Sequence, residues 1–244
     1  EGSQDTLIWS YMQGCMGMAF TDNLTDPKSA AIYLADFCFL AGEPNSELVE
    51  FKPSELTSEY VVMVPPTEEW EQIIEEVYQE KAHRSMRYAT RKDKTVFDID
   101  KLTKIVERLP VGCELRPIDH KLYQEILSLT WAHDLCGNFS SYDEFAENAL
   151  GVVILSDGEL VSGASSYSYY RGGIEVQIDT REDYRRRGLA SICGAKLILE
   201  CLGRGLYPSW DAYTKVSLAL AEKLGYVFDR EYTSYEIYPW TRRS

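Results

Sequence analysis

Ile174-Glu175-Val176-Gln177-Ile178-Asp179-Thr180 runs through Arg181-Glu182-Asp183-Tyr184 into Arg185-Arg186-Arg187-Gly188-Leu189-Ala190. In the first seven residues β-branched side chains alternate with polar ones, the period of a strand. A basic turn with one glycine then opens an apolar helix over residues 189–202. The first amides of a helix have no partner within it and carry a partial positive charge, so this turn is built like an anion site. Gly188 lets the backbone approach an anion closely, and the small Ala190 keeps the first helical turn from obstructing it. Arg181, Arg185, Arg186 and Arg187 make a local positive spot in a chain of net charge −14. By itself such a turn also fits a solvated helix start with surface ion pairs of little energy.

Outward from that turn, the pattern reads as a mixed α/β domain. Residues 114–118 form a strand, 122–129 and 142–150 two helices, and 152–155 and 160–170 two strands. The last two are joined by Asp157-Gly158, a pair suited to a type I′ hairpin turn. Gly172-Gly173 turns into the strand at 174–180. After the helix at 189–202 come a strand at 207–212, a helix at 216–224 and a strand at 229–238. The order β-α-α-β-β-β-α-β-α-β gives a mixed sheet with helices on both sides.

Toward the N-terminus the patterns build a core without naming a chemistry. Residues 7–20 and 30–40 read as strand-like, and 60–64 as a short strand ended by Pro65-Pro66. Thr67 caps a helix whose apolar face is Trp70, Ile73, Ile74, Val77 and Tyr78. Leu102, Ile105, Val106 and Leu109 mark another. The turn Leu109-Pro110-Val111-Gly112 then suggests two domains, an α+β accessory domain over 1–109 and a second over 110–244.

The strong negative charge disfavours nucleic acid as a partner, whose phosphates need a basic face. It suits a cationic small molecule, and equally plain solubility. No apolar run is long enough to cross a bilayer. The first residues show no basic segment before an apolar stretch, as a secretory signal has, so the expected location is cytoplasmic. Six scattered cysteines, without a C-x-x-C pair, read as buried thiols in a reducing compartment, and no metal site is expected.

Arg185, Gly188 and Ala190 match the Arg/Gln-x-x-Gly-x-Gly/Ala pattern that follows a strand in the GNAT (Gcn5-related N-acetyltransferase) superfamily, and the element order from about residue 113 resembles that fold. Residues 217–226, Ser-Leu-Ala-Leu-Ala-Glu-Lys-Leu-Gly-Tyr, resemble the helix that follows its fifth strand. Pro208-Ser209-Trp210-Asp211-Ala212 and the N-terminal extension resemble the family related to zwittermicin A resistance acetyltransferases, over nearly the whole chain.

The resemblance implies a splayed central sheet that binds acetyl-CoA. Its pantetheine arm lies between the fourth and fifth strands of that fold, bonded to backbone near Ile178, Asp179 and Thr180. Its pyrophosphate rests on Arg185, Arg186, Arg187, Gly188, Leu189 and Ala190. The acetyl group passes to a primary amine of a small molecule, an aminated antibiotic by family analogy, and the family likeness is compatible with a homodimer. Glu175 is the candidate base for the ammonium proton. Many relatives carry a Tyr that protonates the departing thiolate, where Ala221 stands here; Ser217, one turn earlier, is the substitute candidate, and it equally reads as a packed or capping serine. Thr214 stands where many relatives place an Asn that contacts the cofactor. Trp131, His133 and Asp134 lie in the segment that covers the acceptor, where such residues also cap helix ends. A non-catalytic coenzyme A-binding regulatory module and a protein or peptide acetyltransferase remain the alternatives.

Overall fold

The computed structural model describes residues 5–241. In chain order it contains α1 (Thr6–Met12), β1 (Met18–Thr21), β2 (Ser29–Leu34), β3 (Phe37–Gly42), α2 (Ser46–Glu50), β4 (Val61–Val64), α3 (Glu68–Tyr78) and β5 (Ala82–Thr90). Then follow α4 (Ile99–Val106), β6 (Cys113–Pro117), α5 (His120–Ser128), α6 (Tyr142–Asn148), β7 (Gly151–Ser156), β8 (Glu159–Tyr170) and β9 (Gly173–Thr180). The chain closes with α7 (Leu189–Gly203), β10 (Tyr207–Ser209), β11 (Asp211–Ala212), α8 (Lys215–Leu224) and β12 (Phe228–Ile237). No helix among the described residues is long and apolar enough to cross a membrane.

The chain divides into two compact units at limits other than the expected 109/110 turn. Among the described residues one unit holds 8–87 and 231–241, the other 5–7 and 88–230. Compactness follows strand pairing rather than sequence punctuation. Within the first unit β4 pairs antiparallel with residues 235–237 of β12, which draws the chain end into the N-terminal half. Residues 7–20 are not one strand: Thr6–Met12 is helical, and only Met18–Thr21 pairs, with β2. The 30–40 segment is a hairpin of β2 and β3. The core of this unit gathers Trp70 and Ile74 of α3 with Tyr33, Met63, Tyr235 and Trp240.

The second unit carries the sheet β10-β9-β8-β7-β6. Strands β6 to β9 pair antiparallel, and β10 joins β9 in parallel. Asp157 and Gly158 both have positive φ, 51° and 84°, as a type I′ turn between β7 and β8 needs. Helix α7 is apolar nearly all round, because it packs both on the sheet and under α4 and α8. On the opposite face a 3-10 turn, His133–Leu135, lies over β8; a Cβ on Gly163 would come within 2.6 Å of Leu135 Cδ1. Helices thus cover both faces of a mixed sheet.

Candidate functional site

The site begins where β10 leaves β9. Their pairing runs Tyr207↔Gly173, Pro208↔Ile174, Ser209↔Glu175 and stops there. Two residues on, Asp211 and Ala212 pair instead with Ala89 and Tyr88 of β5. Beyond Glu175, β9 keeps β8 on one side and opens a gap on the other. Which groups face the gap follows from the ladder. Arg181 N donates to Val161 O of β8 at 3.0 Å, and backbone direction alternates along an antiparallel strand. Residues 177, 179 and 181 therefore point toward β8, while 176, 178 and 180 point into the gap. The Thr180 carbonyl confirms this, since it accepts from Arg185 Nε at 3.2 Å rather than from β8.

The basic turn lies at the end of that same strand. Arg186 has φ 61°, and Gly188, the N-cap of α7, has φ 83° and ψ 0° with no side-chain cap bond. Left-handed residues among right-handed or extended ones turn successive N–H groups inward, a concavity for an anion that adds to the positive end of α7. Gly188 is demanded by its φ and not by crowding, since a Cβ there meets nothing within 4 Å. The arginines differ in role. Arg181 is taken up by Asp183 at 2.8 Å and Glu159 at 3.0 Å, so it is not available to an anion as the sequence suggested. It flanks the Tyr184 ring together with Arg187, which also donates to the Asp183 carbonyl at 2.8 Å. Arg185, Arg186 and Arg187 are exposed.

Glu175 is buried, with 6% of its surface exposed, rather than a solvent-facing strand carboxylate. Its Oε1 accepts the Asp211 N–H at 2.7 Å, and its Oε2 accepts the Thr6 hydroxyl. Across the β8–β9 ladder stands Ser168, also buried, whose hydroxyl makes no hydrogen bond among the described residues. Lys92 Nζ donates to Ser209 Oγ at 2.7 Å, and Thr6 Oγ1 lies 3.4 Å from the same atom. Burial, then the charges of Asp211 and Glu175, pushes the Asp5 carboxyl up from 3.8 to about 7. Asp5, Thr6 and Lys92 were not singled out from the sequence, and Ser209 and Asp211 stood there only within a family motif, without a role. No local pattern announces a contact spanning 169 residues.

Asp179 is half-buried and accepts from Gln177 Nε2 at 2.8 Å. Burial raises its carboxyl to about 6; the Asp134 charge adds to the rise, and Gln177 and Arg185 oppose it. The structure thus brings Asp134, from the segment expected to cover the acceptor, near the end of β9. His133 Nδ1 lies 3.5 Å from Asp134 Oδ1, in an exposed pair. His133 also lines a cleft of about 450 Å³ with His120, Tyr123, Phe139 and Tyr142, whereas half-buried Trp131 is not part of its lining. On the far side of the gap Ser217 Oγ accepts from Trp210 Nε1 at 3.2 Å, and the Thr214 hydroxyl caps α8 by accepting from Ser217 N at 3.1 Å. Ala221 is fully buried. Ile178 faces α7, where the space left by Gly194 admits its side chain.

Likenesses to known proteins bear on this geometry. A family model described as GNAT acetyltransferase matches residues 1–235. An uncharacterized N-acetyltransferase of Bacillus subtilis, YdfB, is 27% identical over 247 aligned residues, covering 94% of this chain and 89% of its own. The crystal structure of a GCN5-related N-acetyltransferase-like protein from Streptococcus suis superimposes with a TM-score of 0.91 at 45% identity, over 96% of this chain and 93% of that one. A GCN5-related N-acetyltransferase from Kribbella flavida, with 13% identity and a TM-score of 0.59, covering 96% of this chain and 93% of its own, shares the fold.

Proposed function

The chain belongs to the GNAT acetyltransferase family, and on that premise we propose that it transfers the acetyl group of acetyl-CoA to a primary amine of a small molecule. The observation that carries the reading is the fork. Pairing stops at Ser209↔Glu175, the Ile178 and Thr180 backbone faces the gap, and the anion-binding turn stands at the end of the same strand. A pantetheine arm lying in the gap hydrogen-bonds backbone at Ile178 and Thr180, with Asp179 between them. Its pyrophosphate meets the amides and side chains of Arg185 to Ala190.

In the proposed reaction the amine lone pair attacks the thioester carbonyl carbon; an N–C bond forms, the C–S bond breaks and coenzyme A leaves as thiolate. Backbone N–H groups freed at the fork polarise the carbonyl. The ammonium must lose a proton first. Glu175 takes it: each carboxylate oxygen has two lone pairs, so the bonds from Asp211 and Thr6 leave room for a third partner. Ser217 accepts from Trp210 and so keeps its own hydrogen to relay to the thiolate, regaining one as the nitrogen sheds its second proton and becomes an amide. On the acceptor side, Trp131, His133 and Asp134 supply an aromatic edge and an imidazole–carboxylate pair, and the acidic chain draws in a cationic acceptor such as an aminated antibiotic.

Ala221 favours a second reading, a coenzyme A-binding module without turnover, because a buried alanine stands at the position of the proton-donating Tyr. Titration with acetyl-CoA, followed by thiol release across polyamines, aminoglycosides and aminopolyols, separates the readings. Binding with turnover on a small amine supports transfer, and binding without turnover on any amine supports the module. Turnover on peptides alone moves the acceptor to proteins, and absence of binding removes the coenzyme A reading. Glu175→Gln is expected to lower turnover while leaving acetyl-CoA affinity nearly unchanged; unchanged turnover removes Glu175 as base.

A further inference from the structure

The parallel ladder between β9 and β10 has a rung that the structure redirects. Tyr207 N donates to Gly172 O at 2.8 Å. In a parallel pair the rungs repeat every second residue, which carries the series to Ser209 N on Ile174 O and then Asp211 N on Val176 O. The third rung is not made. Asp211 N donates to Glu175 Oε1 at 2.7 Å, so a side chain stands in for the strand carbonyl one residue early. That substitution removes the bond that would continue the zipper, and Asp211 proceeds to pair with Ala89.

The side chain doing this is itself fixed. Its other oxygen is held by the hydroxyl of Thr6, which is 1% exposed. Thr6 lies 3.4 Å from Ser209, the residue opposite Glu175 in the last β9–β10 pair. Both carboxylate oxygens, one backbone N–H and one distant hydroxyl thus meet at the point of the fork.

We propose that Glu175 is the wedge that keeps β9 and β10 apart, and that Thr6, from the first described residues of the chain, is a positioning residue that locks the wedge. This goes beyond the base role, and it rests on the reading in which coenzyme A lies in the gap. Without the wedge Asp211 N returns to the Val176 carbonyl, the strands close toward Ile178, and the pantetheine arm loses its backbone partners. The nucleotide end, on the turn after Thr180, is untouched.

The test is calorimetric titration of the full chain with coenzyme A and, separately, with adenosine 3′,5′-bisphosphate, which carries the nucleotide end without the pantetheine arm. Losing one or two backbone hydrogen bonds to the arm corresponds to about tenfold in Kd. Glu175→Ala is expected to weaken coenzyme A by about tenfold and Thr6→Val by several-fold, with bisphosphate affinity as in wild type. Gln at 175 retains an oxygen for Asp211 N, and Ser at 6 retains the hydroxyl, so E175Q and T6S should restore coenzyme A binding. Bisphosphate binding also reports folding, and T6V tests the lock if E175A does not fold. E175A and T6V proteins that bind coenzyme A like wild type overturn the proposal, as does an equal loss for both ligands. A wild-type chain that binds neither ligand instead overturns the coenzyme A reading on which it rests.

Discussion

Gly188 is the point at which the proposed anion-binding turn can be perturbed with least else disturbed. Its φ of 83° and ψ of 0° lie in the left-handed region, and a Cβ built there meets nothing within 4 Å. Steric clash drops out for Gly188→Ala, leaving the intrinsic cost of a left-handed L-residue, about 1–2 kcal/mol. The variant can meet that cost in two ways. If the turn keeps its shape, the free protein loses the whole amount, a Tm fall of about 2–8 °C for a chain of this size, and acetyl-CoA affinity is unchanged. If the turn relaxes to negative φ, the free protein keeps its Tm. Acetyl-CoA must then restore the left-handed geometry on binding, and Kd rises about 5- to 30-fold. Both losses draw on one quantity, so together they add to the same ~1–2 kcal/mol. Thermal melts with and without acetyl-CoA, beside calorimetric Kd values, measure each part. Gly203→Ala is the control: it sits in the last turn of α7, also in open space, and its φ is not positive. It is expected to gain up to about 0.5–1 kcal/mol. A Gly188→Ala protein equal to wild type in both stability and affinity would refute a left-handed turn as the binding form.

Reversing charge at Arg185 or Arg187, both exposed, should raise the acetyl-CoA constant several-fold near 10 mM salt and much less near 1 M, as the screening length shrinks from about 30 to about 3 Å. A salt-independent change would mean that the arginines act by holding Thr180 or Tyr184. Asp5 carries a pH signature. Its carboxyl is raised from 3.8 to about 7, chiefly by burial, so the fold favours the protonated form. The stability it contributes is full below about 3.8 and disappears as pH rises through about 7. Asp5→Asn, which keeps an oxygen for Leu7 N, should flatten the stability–pH curve over that window and exceed wild type at pH 8; parallel curves from chemical denaturation would remove Asp5 as the titrating group.

What could be read in advance followed local chemistry. Asp157-Gly158 gave its turn because two consecutive positive φ values need those residue types. Thr67 marked the start of α3 through the acidic residues behind it, although its hydroxyl makes no cap bond. Residues 7–20 misled because a short apolar run has no decisive period, and the true helix ends at Met12. Strand β5 left almost no trace: its first six residues are exposed or half-buried and include His83, Arg84 and Arg87, so only Tyr88, Ala89 and Thr90 are buried. The turn at 109–112 does not coincide with the limits of the compact units, because β12 returns to β4 after the whole second region has been traversed.

The candidate site divides along the same line. Arg185, Gly188 and Ala190 lie within six residues, so a linear pattern can hold them; the alternation of β9 sets Ile178 and Thr180 apart from Asp179, but only the ladder with β8 shows which of them face the gap. The opening of the gap is different in kind. It depends on Asp211 N choosing a Glu175 oxygen over the Val176 carbonyl, and on Thr6 holding the other oxygen. Both choices are set by residues distant in sequence and of ordinary type, a threonine and an aspartate. On the proposed reading a family pattern therefore locates the phosphates more securely than the acetyl group, and the end of the ligand that decides which amine can react lies on the part of the site assembled from scattered residues. Differences in acceptor among chains that share the Arg-x-x-Gly-x-Ala turn should accordingly trace to the fork, to the His133–Asp134 segment and to the first residues of the chain.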